Sequence, residues 1–225
     1  MVIVNALVLA LLIRTFLFQP FNMPSGSMEP TLLRGDYFFV SKSAYGYTRY
    51  SFPGSPRWFS GRILAALPQR GDVVVFRHPK DDTTDYVKRI IGLPGDSIQM
   101  VRGAIHINGA PIQRERMTDF IDASYGKPIR RWREILPNGV SYAALDLQDN
   151  GFLDDTQVYV VPAGRYFVLG DNLDNSTDSR VLSAFGYVPF EHIIGRVETI
   201  FYSIQPGENG APPTPRPDRI GLLVR

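Results

Sequence analysis

The sequence predicts a mainly β protein: an N-terminal membrane helix followed by a β-rich core with an inserted β-rich lobe. Three observations predict it. Short runs rich in Val, Ile, Phe and Tyr are punctuated by 20 glycines and 18 prolines, the spacing of many strands and turns. Residues 2–13 are apolar apart from Asn5. Between Asp96 and Pro162 the texture changes, and hairpin signals crowd together. The expected division is a membrane helix over 1–18, a core over 19–96 and 163–225, and the inserted lobe over 97–162. At 225 residues with 44% hydrophobic content, the chain is long and apolar enough to bury a core.

Composition removes several function classes. A net charge of +2 with no long basic run does not point to nucleic acid. The absence of cysteine excludes disulfides, thiol nucleophiles and cysteine metal sites. Of the three histidines, His78, His106 and His192, none stands at metal-ligand spacing with another ligand. If the chain is a hydrolase, its base is expected to be something other than histidine.

The first element is VIVNALVLALLI (2–13), followed by FLF after Arg14. It falls short of the roughly 20 residues that span a bilayer. A secretory signal peptide would need a basic start and a small-residue cleavage site, and RTFLFQPFNMPS is bulky and aromatic. This favours a spanning helix that emerges near Arg14, with Arg and Phe at the interface, shortened at its start or preceded by further residues. Its orientation is not legible, because no cytoplasmic basic cluster is visible.

Strands are expected at DYFFVSK (36–42), GDVVVFRH (71–78), DYVKRIIGL (85–93), RYFVLGD (165–171) and GRVETIFYSI (195–204). In the lobe, Arg102-Gly103 and Asn108-Gly109 between β-prone runs are hairpin signals, and Pro137-Asn138-Gly139 is a further turn. RRWR (130–133) reads as a solvated basic face, or as a contact for acidic lipid or a partner. PGENGAPPTPRP (206–217) reads as a proline-rich loop. Trp58 and Phe59 are candidates for a lipid interface or for the core.

Three stretches carry candidate chemistry. In PSGSMEPTL (24–32), Pro24 and Pro30 stiffen the chain on either side of Gly26. In an extended segment Ser25 and Ser27 share a face, which suits a nucleophile with an oxyanion donor; a polar turn is the plain alternative. In DYVKRIIG, alternation puts Lys88 on the face of Tyr86 and Ile90. An ammonium in apolar surroundings tends to lose its proton and can then serve as a base, whereas a lysine at a strand end commonly snorkels to solvent. The third stretch, GDNLDNSTDSR (170–180), packs carboxylates and hydroxyls densely enough to cross-link and brace a neighbouring site. Its Asn175-Ser176-Thr177 matches a glycosylation pattern that is too short to weigh.

PSGSMEPTL, GDYFFVSK, RGDVVVFRHP, DYVKRIIGLPGD and GDNLDNSTDSR occur in the order found in type I signal peptidases (leader peptidases), and the chain resembles that family from about residue 10 onward, least in the lobe. The resemblance implies a membrane-anchored serine endopeptidase, without cofactor, that cleaves signal peptides from exported preproteins after small residues at −1 and −3. It implies the bacterial inner membrane, with the catalytic domain on the periplasmic side. The partners implied are signal-peptide-bearing preproteins and the lipid bilayer, with neither nucleic acid nor metal.

Carried over by motif, Ser27 is the nucleophile and Lys88 the general base. The Ser25 hydroxyl and the Ser27 backbone N–H form the oxyanion hole, and Ser176 hydrogen-bonds and orients Lys88. Asp178 and Arg180 form a supporting ion pair, with Asp171 and Arg89 joining the network. Phe21, Met23, Pro24, Met28, Leu32, Tyr86 and Val87 line shallow substrate pockets. Leu173 stands where many relatives carry a basic residue. Two other classes remain open: a self-cleaving repressor-type Ser–Lys protease, which would bring a DNA-binding helical segment, and a non-catalytic membrane-tethered β-domain that binds exported chains.

Overall fold

A computed structural model describes residues 2, 4–6, 14–207 and 212–225. Its strands, in chain order, are β1 (Phe18–Asn22), β2 (Asp36–Ser41), β3 (Val73–Arg77), β4 (Asp85–Gly92), β5 (Ser97–Val101), β6 (Ala104–Ile107), β7 (Ala110–Pro111), β8 (Gln113–Arg116), β9 (Arg130–Ile135), β10 (Ser141–Asp146), β11 (Tyr159–Val160), β12 (Arg165–Leu169), β13 (Val188–Pro189), β14 (Ile193–Gln205) and β15 (Thr214–Pro215). The five runs expected as strands are β2, β3, β4, β12 and β14.

The main sheet runs β1-β2-β14-β3-β4-β12-β13, with β15 paired to β14, and all of its pairings are antiparallel. Strand β3 shows why this sheet is stable. Val73 and Val75 belong to a cluster with Phe38, Val40 and Val197, while Val74 and Phe76 pack on the opposite face with Ile90, Val168 and Ile193. Both faces are covered, so the strand reads as a continuous apolar run. The long β14 bends across both neighbours, and its register slips at Val197/Thr199 and at Ile200/Tyr202.

Strands β5 to β11 form two further sheets, ordered β11-β5-β6-β7 and β10-β9-β8. The hairpin signals operate as expected: Arg102 and Gly103, and then Asn108 and Gly109, all have positive φ, which matches the right-handed twist of the strands they join. The first of these sheets shares a core with the main one, where Ile98, Ile105 and Tyr159 meet Ile91, Phe167 and Leu169. The basic run at 130–133 spends its charge locally. Arg130 pairs with Asp146 at 2.8 Å, Arg131 donates to the Thr118 carbonyl at 2.9 Å, and Arg133 lies 3.6 Å from Glu115.

The N-terminus departs from expectation at its inner boundary. Val2, Val4–Ala6 and Arg14–Phe16 are helical, while residues 1, 3 and 7–13 of the expected membrane helix lie outside the described residues. Among the described residues no helix is long and apolar enough to cross a membrane. Phe18, expected at the end of that helix, instead begins β1, which pairs with β2 from Phe18↔Ser41 to Asn22↔Tyr37. Pro20 fits there because β1 is an edge strand with one side free of ladder bonds. Part of the expected proline-rich loop, Thr214–Pro215, is β15; residues 208–211 lie outside the described residues.

Candidate active site

The chain between β1 and β2 carries PSGSMEPTL, and its anchor is apolar. Met28 and Leu32 are fully buried in the core beneath the main sheet. Two residues expected to line substrate pockets therefore face inward: their long apolar side chains gain more from the core than from an open surface. Ser27, pinned beside Met28, is only 7% exposed.

Lys88 reaches the same point from β4, 61 residues away in sequence. Its Nζ lies 2.6 Å from Ser27 Oγ. Lys88 pairs across the ladder with Val74, and the Tyr86 ring centroid is 6.0 Å from Nζ. The side chain is 3% exposed, so the snorkelling alternative does not apply. Burial pulls its pKa down to about 8, against the opposing fields of Asp178 and Asp171. A substantial neutral fraction near neutral pH is what proton abstraction from serine requires. Ser25 Oγ is 3.3 Å from Ser27 Oγ, on the more exposed side of the loop.

The third stretch leaves β12 and passes directly under the loop that carries Ser25 and Ser27. Asn172 N–H donates to the Ser27 carbonyl at 3.2 Å, and its side-chain amide donates to the Gly26 carbonyl at 3.0 Å. Arg180 grips Asp178 through two bonds of 2.8 and 2.7 Å, and Arg89 grips Asp171 the same way at 2.8 and 2.7 Å. These are two separate bidentate pairs in the interior; Thr31 extends the second by donating to Asp171, and Asp178 accepts from Gly170 N–H at 3.3 Å. Asp174 ties the stretch to the chain after β10 by accepting from Leu147 N–H at 2.7 Å. Leu173 is buried in the core beside Leu169, so no charge is held at that position.

Ser176 corrects one expectation. It is buried, but its Oγ has no hydrogen-bond partner among the described residues, and no bond joins it to Lys88. The amine's hydrogen bond goes to Ser27 instead. Ser176 Oγ shares with the Ser27 carbonyl the tight space over Gly170.

A cleft of about 490 Å³ opens onto Ser27 and Lys88. It is lined by Phe21, Met23, Pro24 and Ser25 from the end of β1 and the loop after it, by Thr84, Tyr86 and Val87 at the start of β4, and by Asn175 and Thr177. Strand β4 pairs with β3 over Asp85–Arg89 but with β12 only from Arg89 onward, so its first residues present a free edge to this cleft. The sequence carries no separate signal for Asn172, and Asn175 and Thr177 stand out in it only through the Asn-Ser-Thr pattern, although all three lie within GDNLDNSTDSR. Among the described residues no group of three or more potential metal ligands occurs.

A family model described as signal peptidase, peptidase S26, matches residues 1–202. Over 204 residues the chain is 45% identical to a signal peptidase I of Rickettsia conorii, covering 87% of this chain and 75% of the relative. It is likewise 45% identical to one of Rickettsia canadensis, covering 87% of this chain and 76% of that relative. A crystal structure of a signal peptidase I from Enterococcus faecalis matches at 28% identity and a TM-score of 0.35, covering 58% of this chain and 97% of that one.

Proposed function

The chain belongs to the signal peptidase family, peptidase S26, and from that premise we propose that Ser27 and Lys88 are the nucleophile and general base of its reaction. The activity is that of a signal peptidase I: a serine endopeptidase that cleaves signal peptides from preproteins. Membership sets aside the repressor-type protease and the non-catalytic binder. The observation that carries the residue assignment is the 2.6 Å contact between the Ser27 hydroxyl and an amine buried from water.

The preprotein enters the cleft extended, adding a strand along the free edge at the start of β4. Apolar walls at Phe21, Met23, Pro24, Tyr86 and Val87 select small residues at −1 and −3 by clash with larger ones. Neutral Lys88 accepts the Ser27 proton as Oγ attacks the scissile carbonyl carbon. The resulting oxyanion takes hydrogen bonds from the Ser25 hydroxyl and the Ser27 N–H. The lysine proton passes to the leaving amine, the C–N bond breaks, and water, deprotonated by the same amine, releases the acyl group and restores the serine.

The apolar N-terminus anchors the enzyme in the bacterial inner membrane with this cleft on the periplasmic side. Trp58, 75% exposed and packed on Phe52 and Phe59, rests with Phe16 at the lipid surface.

The test is cleavage of a model preprotein in detergent by the wild type, Ser27→Ala and Lys88→Ala. Both variants are expected to lose turnover. Near wild-type cleavage by Lys88→Ala would remove the dyad.

A further inference from the structure

The peptide unit that supplies the Ser27 N–H is held at its other end by groups outside the dyad. Its carbonyl belongs to Gly26 and accepts from Asn172 Nδ2 at 3.0 Å. A planar trans peptide points its N–H opposite to its C=O, so a fixed Gly26 oxygen fixes the direction of the Ser27 N–H. Asn172 Nδ2 also donates to the Tyr125 hydroxyl oxygen at 2.7 Å, and that hydroxyl donates to Glu29 Oε2. Tyr125 ends the short turn Ala123–Tyr125, between β8 and β9, far in sequence from the other members.

Glu29 completes the circuit back to the loop. It is 3% exposed, and its carboxylate lies against Gly26, where a β-carbon would come within 2.8 Å of Oε2. A side chain at this glycine of PSGSMEP would crowd the carboxylate packed on it and oblige Glu29 to shift. Burial pushes the Glu29 pKa up while the Tyr125 hydrogen bond opposes the rise, and burial pushes Tyr125 up to about 12. The proton therefore stays on the tyrosine, which can bridge Asn172 and Glu29 as acceptor and donor at once.

We propose that Tyr125 and Glu29, acting through Asn172 and Gly26, are positioning residues that aim the Ser27 N–H at the oxyanion, so that the segment between β8 and β9 takes part in setting catalytic geometry. This rests on the assignment of Ser27 as nucleophile. None of the three side chains lines the cleft that receives substrate.

The test is steady-state cleavage by Tyr125→Phe, which deletes one oxygen from a partly exposed residue. Loss of alignment at a reacting centre costs up to about 100-fold, so a fall in kcat of about 10- to 100-fold is expected, with KM unchanged. The acid limb of the pH profile should stay in place, because Lys88 keeps its surroundings. Glu29→Gln retains an acceptor oxygen and should remain near wild type, whereas Glu29→Ala should match Tyr125→Phe. The double variant Tyr125→Phe/Glu29→Ala should be no worse than either single change. A kcat within about twofold of wild type for Tyr125→Phe would overturn the proposal, and so would a rise in KM alone, which would mark a substrate contact. A loss of activity that tracks a lowered melting temperature in both Tyr125→Phe and Glu29→Gln would also overturn it, as a purely structural effect. Should Glu29→Ala fail to fold, Tyr125→Phe and Glu29→Gln decide the matter alone. Failure of the dyad itself is read separately, from Lys88→Ala.

Discussion

A β-carbon on Gly170 would lie 2.4 Å from the carbonyl oxygen of Ser27 and 2.4 Å from the hydroxyl of Ser176. The strand end after β12 and the loop carrying Ser27 thus touch through backbone, at a distance no other residue permits. That contact lets Asn172, two residues on, reach the Ser27 carbonyl with its own N–H.

Gly170→Ala is therefore expected to push the Ser27 loop away from Lys88, because the obstructing carbonyl is backbone and cannot rotate aside. Overpacking of this kind costs about 1–3 kcal/mol in stability. The displacement should also lower kcat by about 100-fold. Denaturant unfolding alongside cleavage kinetics checks both; a variant with wild-type kcat would show that the loop tolerates the shift.

The pH profile should follow Lys88. With Lys88 as the proposed base the active form is the neutral amine, so kcat/KM should rise along one acid limb with a midpoint at about 8. Lys88→Arg should be inactive at every pH, because a guanidinium keeps its proton. A midpoint near 10.5, the ordinary lysine value, would mean that the amine is not held in a dry niche in the working enzyme.

The same burial has a consequence for stability. A lysine whose folded pKa lies near 8, below its unfolded value of 10.5, binds fewer protons folded than unfolded between those limits. Its destabilising contribution is complete below pH 8 and fades as pH rises toward 10.5. Lys88→Met, which fills the space without a charge, should melt higher than wild type at pH 7 while being inactive. Thermal melts at pH 7 and pH 10 test this: the gap between the two proteins should narrow at the higher pH.

Asp178 raises the Lys88 pKa in opposition to burial. Asp178→Asn should remove that support and move the acid limb below 8. Asp178→Ala would also strand Arg180, whose side chain is 1% exposed and whose guanidinium is bonded twice to that carboxylate. Breaking a buried pair from one side costs about 3–5 kcal/mol. A pH titration of the first variant and urea unfolding of the second would test the two effects independently, and an unmoved limb would contradict the assigned electrostatics.

Much of the fold was legible because the signals are local. β2, β3, β4, β12 and β14 are runs whose apolar residues and flanking turn-formers lie within a few positions of one another. The φ > 0 turns at Arg102-Gly103 and Asn108-Gly109 need only the two residues they contain. Strand β1 was missed because FQPFN follows an apolar run and contains a proline; only the presence of β2 beside it makes it a strand. The family resemblance implies that Met28 and Leu32 line substrate pockets, whereas the structure turns both inward, since which way a loop residue faces is decided by the core it meets.

Of the site, the sequence by itself determined the chemical types and their order: two serines around a glycine, a lysine sharing a strand face with Tyr86 and Ile90, and a polar stretch after a strand. Tertiary structure alone decided that Lys88 is dry, that its nitrogen meets Ser27 across 61 residues, and that Ser176 leaves it unbonded. It also brought Glu29, Tyr125 and Asn172 together from three separate segments. Alternation along a strand fixes which neighbours two residues away share a face, but the dielectric around a charge depends on every chain packed over it, and those chains come from distant sequence.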